Sequence, residues 1–189
     1  MWMRTSFRLA AVTLVFAVGL SLGGCAPDAP APKPTASPSA TPLFATDEEA
    51  LAAAEEAYAA YQAMSDAILV DGGEDPERLL NVATEAVYKT QLEGYKSAAS
   101  KGWVSTGGTT IDTVSLVRYD PLSITETVTV YACIDVSDVD VVDRAGNSVV
   151  SESRPDRTPV ESTFDVDAAA SSGLIFSGEM TWSGENFCV

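Results

Sequence analysis

The apolar positions between residues 46 and 71 recur every three or four residues, which is the spacing of one face of a helix. Thr46 precedes this stretch and Glu49 lies three positions on, a pair typical of a capping box. The sequence Asp71-Gly72-Gly73 supplies a stop signal. The pattern therefore predicts a first helix of about 23 residues. Its inward stripe consists of Leu51, Ala54, Tyr58, Tyr61, Met64, Ser65, Ile68 and Leu69.

A second helical region follows the glycine pair. Pro76 suits the first position of a helix, where its missing N–H breaks no hydrogen bond. The apolar spacing is interrupted near Thr84, so we expect two short helices, over 76–84 and 85–100, instead of one long helix. The second helix should turn Val87, Leu92 and Tyr95 inward.

From residue 109 onward the period changes to two, as in half-buried strands. We expect strands over 109–119, 124–136, 160–167 and 174–182, and a hairpin over 139–150 around the sequence DRAGN. In the last strand, simple alternation puts one set of residues on the same face: Leu174, Phe176, Gly178, Met180 and Trp182. Helices followed by a run of strands predict an α+β fold, with the N-terminal helices packed on one face of a curved antiparallel sheet.

Composition excludes several functions. The chain has 11 basic and 27 acidic residues, a formal net charge of −16, and no histidine. Nucleic acid is a poor partner for such a field, because binding it requires lysines and arginines that neutralise phosphates. The missing histidine removes the commonest general base, the Ser-His-Asp arrangement and most zinc sites. We expect no nucleic acid, metal or cofactor.

The N-terminus reads as an export signal. Arg4 and Arg8 precede an apolar run over residues 9–20, which is too short for a good permanent membrane span. The following sequence, Leu22-Gly23-Gly24-Cys25, resembles the lipobox of bacterial lipoproteins. In that family the cysteine sulfur is acylated and the signal is cut just before it. We therefore interpret residues 1–24 as a lipoprotein signal peptide and Cys25 as the lipidation site. The alternative is an incidental thiol after an ordinary signal.

Residues 25–45 are rich in proline, alanine, serine and threonine. Six of the ten prolines of the chain fall between Pro27 and Pro42. Proline locks φ and removes a backbone donor, so this composition disfavours both helix and sheet. Beside a lipid anchor, we interpret the segment as an extended tether that carries the following domain, residues 46–189, off the membrane. Composition alone is equally consistent with a disordered tail of no function.

Two cysteines remain, Cys133 and Cys188. In an exported chain an isolated pair is typical of a disulfide, which would fasten the last residues to a strand. We therefore predict this bond, and a single α+β domain that lies outside the cytoplasm.

Two resemblances extend this picture. A long first helix, two short ones and a run of long strands over residues 46–189 resemble the cone-shaped nuclear transport factor 2-like fold, which ketosteroid isomerases and SnoaL-like proteins share. The sequences ATDEEALAAAEEAY (45–58) and WSGENFC (182–188) resemble small lipoproteins of high-GC Gram-positive bacteria. The second resemblance implies lipid anchoring at the cell membrane and no particular activity.

The first resemblance raises the question of an enzyme site. Ketosteroid isomerases use an acidic base and a tyrosine-containing oxyanion hole inside the cone. Here Tyr131 and Asp135 lie on the same face of a predicted strand and are the candidate catalytic pair. If that face meets solvent, they are ordinary surface residues beside threonines.

Two charged clusters are candidate ligand sites. The acidic group Asp135, Asp138, Asp140 and Asp143 lacks the glycine and glutamate that a calcium loop of the EF-hand type requires, so a solvated hairpin explains it better. Arg154 and Arg157 could hold a carboxylate or phosphate, although local salt bridges in a turn are the more common arrangement.

The sequence thus predicts a lipid-anchored protein on the extracytoplasmic face of the cell membrane, with a non-catalytic domain that binds an envelope protein or a small ligand. The alternative is an enzyme similar to ketosteroid isomerase or SnoaL, with Tyr131 and Asp135 in its pocket.

Overall fold

The computed structural model describes residues 42–120 and 126–188.

The first helix, α1 (Asp47–Val70), begins and ends as the sequence predicts. The side chain of Thr46 accepts a hydrogen bond from the backbone N–H of Glu49, which caps the helix. Acidic residues fill the first turn, where the helix dipole favours them. The buried face of α1 consists of Ala50, Ala53, Ala54, Ala57, Tyr58, Tyr61 and Ile68.

Two shorter helical segments follow, as expected from the interruption near Thr84. The first is a 3-10 helix (Pro76–Asn81), and the second is the α-helix α2 (Glu85–Lys101). Thr84 caps α2 by accepting a hydrogen bond from the N–H of Val87. Gly102 ends α2 with a φ of 67°, a left-handed conformation that glycine adopts without strain.

Six strands complete the fold. They are β1 (Val104–Thr106), β2 (Thr110–Tyr119), β3 (Thr127–Asp135), β4 (Asp140–Val142), β5 (Arg157–Val166) and β6 (Leu174–Thr181). Four of them form an antiparallel sheet in the order β2-β3-β5-β6, while β1 and β4 pair in a separate two-stranded sheet. The predicted α+β class, with N-terminal helices followed by a curved antiparallel sheet, is confirmed.

The core lies between α1 and the four-stranded sheet. The ring of Tyr58 contacts those of Phe164 and Phe176, with centroids 5.7 and 5.6 Å apart. Val128 and Val130 of β3 are fully buried beneath them. Full burial of apolar side chains of this size stabilises a fold by roughly 1.5–3 kcal/mol each, so this cluster helps to hold α1 on the sheet.

A bulge in β6 overturns the simple alternation expected for this strand. Phe176 pairs with Phe164 and Gly178 pairs with Thr163, so Ser177 is an extra residue without a partner on β5. An extra residue reverses the alternation beyond it. Glu179 therefore lies on the same face as Phe176, and Met180, expected on that face, is 64% exposed.

The two cysteines of the described residues lie together. The sulfur atoms of Cys133 and Cys188 are 2.05 Å apart and their Cα atoms 5.5 Å apart, which is disulfide distance. The predicted proximity of this pair is confirmed. It fastens the C-terminal residues to β3, beside the rings of Trp182 and Phe187 that pack on Tyr131.

The predictions for the N-terminal part of the chain concern residues that the structure does not describe. The signal peptide 1–24, Cys25 and the tether up to residue 41 lie outside the described residues. At the end of the predicted tether, Phe44 packs edge-on against Tyr119, with ring centroids 5.7 Å apart. Within residues 42–120 and 126–188, no helix is both long enough and apolar enough to cross a membrane.

Candidate functional site

An open groove separates one flank of α1 from the edge strand β2. It encloses about 490 Å³. Both walls are mixed, with small apolar residues between polar and acidic ones. The residues that line this α1–β2 groove are Glu55, Tyr58, Ala59, Gln62, Ala63, Asp66, Thr109, Ile111, Asp112, Thr113 and Val114.

Asp66 fixes one end of the groove. Its carboxylate accepts hydrogen bonds from the backbone N–H of Thr109, at 2.7 Å, and from the hydroxyl of the same residue, at 2.9 Å. Hydrogen bonds to a charged group stabilise more than neutral ones. Asp66 thereby joins the last turns of α1 to the start of β2, which sets the width of the groove at this end.

A second bulge shapes the β2 wall. Asp112 pairs with Cys133 and Ser115 pairs with Tyr131, so two residues, Thr113 and Val114, oppose one residue of β3. Thr113 has a φ of 53°, which is unusual for a β-branched residue. Bulges and strained residues of this kind often occur beside binding sites, where they redirect side chains.

Arg157 joins the ends of three strands beside this bulge. Its guanidinium donates to the carboxylates of Asp112 and Asp135, both at 2.7 Å. The pKa of Asp112 is lowered, mainly by its hydrogen bond from Arg157. The pKa of Asp135 is also lowered, first by its bonds from Ser137 and then by Arg157. Both carboxylates are therefore ionised structural partners at neutral pH.

The candidate catalytic pair does not meet in a shared pocket. Tyr131 packs on Trp182 and Phe187, with centroids 4.8 and 5.8 Å from its own. Asp135 is engaged by Arg157 at the end of the sheet. Each has partners of its own on the face of β3 that points away from α1, so this geometry gives the catalytic interpretation no support.

The other charged clusters are structural. Arg154 donates to the backbone carbonyls of Val136 and Val139, whereas Arg157 forms ion pairs, so the two arginines do not converge on one anion site. Asp143 accepts hydrogen bonds from the N–H groups of Ala145 and Asn147, which closes the hairpin turn. The part of the chain that the structure describes contains no cluster of metal-ligating side chains.

A second cavity lies on the opposite flank of α1. It encloses about 270 Å³ between α1, α2 and β6. The rings of Tyr61 and Phe176 stack along it, with centroids 3.8 Å apart. The residues that line this α1–α2–β6 cavity are Tyr61, Ala86, Val87, Thr90, Gln91, Phe176, Ser177, Gly178 and Glu179.

Glu179 is the acidic residue of this cavity. Its Oε2 atom accepts hydrogen bonds from the hydroxyl of Tyr58 and, at 3.1 Å, from that of Ser162. The residue as a whole remains exposed, so only one side of the carboxyl is enclosed. Burial raises its pKa, against the opposing effect of the two hydrogen bonds. Burial also raises the pKa of Tyr58, which is therefore a neutral donor.

The sequence does not indicate Asp66, Tyr58 or Glu179 as functional residues. The helical stripe predicts Tyr58 in the core, and simple alternation puts Glu179 on the face of the last strand opposite Phe176. The groove depends on the distance between α1 and β2, which no local pattern records. A signal that would have helped is Ser177-Gly178, small residues in mid-strand, because glycine within a strand often marks a bulge.

Comparisons with known proteins add little to this description. No family model matches the chain, and no curated protein matches it. Among solved structures, the intermembrane space region of chloroplast protein ARC6 is similar, with a TM-score of 0.49 and 12% identity. The match covers 71% of this chain and 97% of that chain. A likeness this distant carries no argument about fold family or function.

Proposed function

We propose that the protein is a lipid-anchored extracytoplasmic lipoprotein whose folded unit is a non-catalytic binding domain, and that the α1–β2 groove is its binding surface. The partner class is an envelope protein or a small ligand. The finer fold that we propose for the domain is the cone-like nuclear transport factor 2-like arrangement, supported by the order of its helices and strands.

The proposed location rests on two sequence features and one contact. The sequence Leu22-Gly23-Gly24-Cys25 follows a basic end and a short apolar run. The Cys133–Cys188 pair at disulfide distance suits an oxidising compartment outside the cytoplasm. More than one acyl chain on Cys25 would make the anchoring stable.

The binding proposal rests on three polar side chains of the groove that are held in place by hydrogen bonds. Asp66 is held by Thr109, Asp112 by Arg157, and the hydroxyl of Tyr58 by Glu179. Side chains fixed in this way form a pre-organised wall, which suits recognition. A general acid or base would need to exchange protons with a substrate, and these groups are already engaged.

A photo-crosslinking residue tests the binding surface in intact cells. Placed at Ala63, which is exposed and lines the groove, it should give a defined adduct. Placed at Met180, on the far face of the sheet and 64% exposed, it should not. A large shift in mass would indicate a protein partner and a small one a ligand. Equal adducts from both positions, or adducts from Met180 alone, would contradict the assignment of the groove.

Fractionation tests the anchor separately. Cys25→Ala should move the protein from the membrane to the soluble or secreted fraction, because the acylated sulfur is its only proposed attachment. Cys188→Ala is the matched control, since it replaces a cysteine outside the lipobox, and should stay with the membrane. An unchanged membrane fraction for Cys25→Ala would refute the anchor.

A further inference from the structure

Glu179 lies beside the apolar core without a cationic partner among the described residues. Its described hydrogen-bond donors, Tyr58 and Ser162, are neutral hydroxyls. None of the residues that line the α1–α2–β6 cavity is basic. A partly enclosed carboxylate with only neutral donors is unfavourable in the folded state, because its lost hydration is incompletely replaced.

The bulge at Ser177 is what brings this charge inward. With regular alternation, Glu179 would occupy the far face of the sheet and Met180 would meet the core, which is the more stable arrangement for an isolated domain. The strand has the opposite arrangement. Bulges are common in edge strands such as β6 and next to active sites, where they redirect a side chain.

The residues that line the cavity indicate the chemical class of ligand that it could bind. The rings of Tyr61 and Phe176, stacked on each other and largely buried, line the cavity together with Ala86 and Val87. Polar lining comes from Thr90, Gln91 and Ser177, besides Glu179. An aromatic and apolar surface, combined with uncharged polar side chains and a single acidic group, matches an organic cation whose charge meets the carboxylate and whose body lies against the rings. The negative net charge of the chain attracts cations to its surface.

From this arrangement we propose that the α1–α2–β6 cavity binds a primary ammonium group carried on a small apolar or aromatic body. The ammonium pairs with Glu179, and the apolar body lies against Tyr61, Phe176 and Val87. This site is separate from the α1–β2 groove and does not depend on Cys25. If no ammonium compound binds at this site, the proposed anchor and the proposed α1–β2 binding surface are unaffected. If the anchor or the groove is refuted, the ammonium site is unaffected.

Calorimetric titration of the purified full chain, kept soluble in a non-ionic detergent, tests the site with benzylammonium chloride as the probe. Benzyl alcohol is the neutral control of the same shape. Glu179→Gln removes the charge and keeps the size of the side chain. Glu161→Gln is the matched control, because Glu161 lies on the neighbouring strand and pairs with Met180 on the opposite face.

We expect the wild type and Glu161→Gln to bind benzylammonium equally, Glu179→Gln to bind it about tenfold or more weakly, and benzyl alcohol to bind no variant comparably. Ala86→Trp, which fills the cavity from α2 without replacing the acid, should also weaken binding; it serves as the test if Glu179→Gln fails to fold. Equal binding by wild type and Glu179→Gln, equal binding of benzyl alcohol, or no binding by the wild type would each overturn the proposal.

Discussion

The hydroxyl of Tyr58 donates a hydrogen bond to the carboxylate of Glu179, which joins the middle of α1 to the end of β6. Tyr58 is fully buried, and its ring packs on Phe164 and Phe176. One side chain thus belongs both to the apolar core and to a polar contact at its margin. The contact also links two cavities, since Tyr58 lines the α1–β2 groove and Glu179 lines the α1–α2–β6 cavity.

Tyr58→Phe should destabilise the fold by roughly 1.5–3 kcal/mol, because it removes a donor from a partly enclosed carboxylate while leaving the ring in place. Urea unfolding followed by circular dichroism measures this. Tyr88→Phe, at a half-buried tyrosine of α2, is the control and should change stability by less than about 0.5 kcal/mol. A loss no larger than that of the control would show that the Tyr58–Glu179 contact does not support the fold.

Glu179 should give the protein a distinctive pH dependence. Because its pKa is raised in the folded state, the folded chain holds this proton more tightly than the unfolded chain. The free energy of unfolding therefore falls as the pH rises from 4.5, the ordinary pKa of a glutamate, through the raised pKa of Glu179. Tyr58 and Tyr61 face the carboxyl from α1 and stay neutral over this range, since their pKa values are raised as well.

Glu179→Gln lacks this titration, so its stability relative to wild type should be higher at about pH 7 than at about pH 4. Urea unfolding of both proteins at the two pH values measures the difference. If the stability difference between Glu179→Gln and wild type is the same at both pH values, or is larger at about pH 4, the raised pKa of Glu179 is contradicted.

Asp66→Ala should destabilise the protein by about 1.5–3 kcal/mol, because the backbone N–H of Thr109 would lose a charged acceptor. Hydrogen exchange should also show faster exchange of the Thr109 amide. Glu55→Ala, on the same side of α1 but exposed, is the control and should have little effect. Unchanged protection of Thr109 would refute the role of Asp66 in closing the end of the groove.

Cys188→Ser should lower stability by about 2–5 kcal/mol and make the C-terminal residues sensitive to protease, because these residues would lose their covalent link to β3. Wild type treated with reductant should behave like the variant. Two thiols that react with an alkylating agent in protein isolated without reductant would contradict the bond between Cys133 and Cys188.

The elements of this fold were predictable where their signals are local. The start of α1 depends on Thr46 and Glu49, and the end of α2 on Gly102, so a window of a few residues contains the cause. The four strands of the larger sheet followed from their period of two. The short strand β1 was not predicted, and β4, expected within a hairpin over 139–150, pairs with β1. The nearness of Cys133 and Cys188 followed from the export signal, which is also a feature of the sequence.

The candidate sites were not predictable, because their causes are contacts between distant residues. The bulge at Ser177 exists only relative to its partners on β5, and it reverses which side chains of β6 meet the core. The left-handed φ of Thr113 is likewise set by pairing with β3, since threonine rarely adopts it alone. Asp66 and Thr109 meet only after α1 has packed beside β2.

The proposed function depends on Cys25, because the anchor fixes the compartment in which the domain would bind. Mass spectrometry of the mature protein, released from membranes and digested, measures this site directly. We expect the first residue to be Cys25, its sulfur to carry a diacylglyceryl group, and peptides from residues 1–24 to be absent. A chain that begins elsewhere, or a Cys25 that reacts as a free thiol, would contradict this expectation.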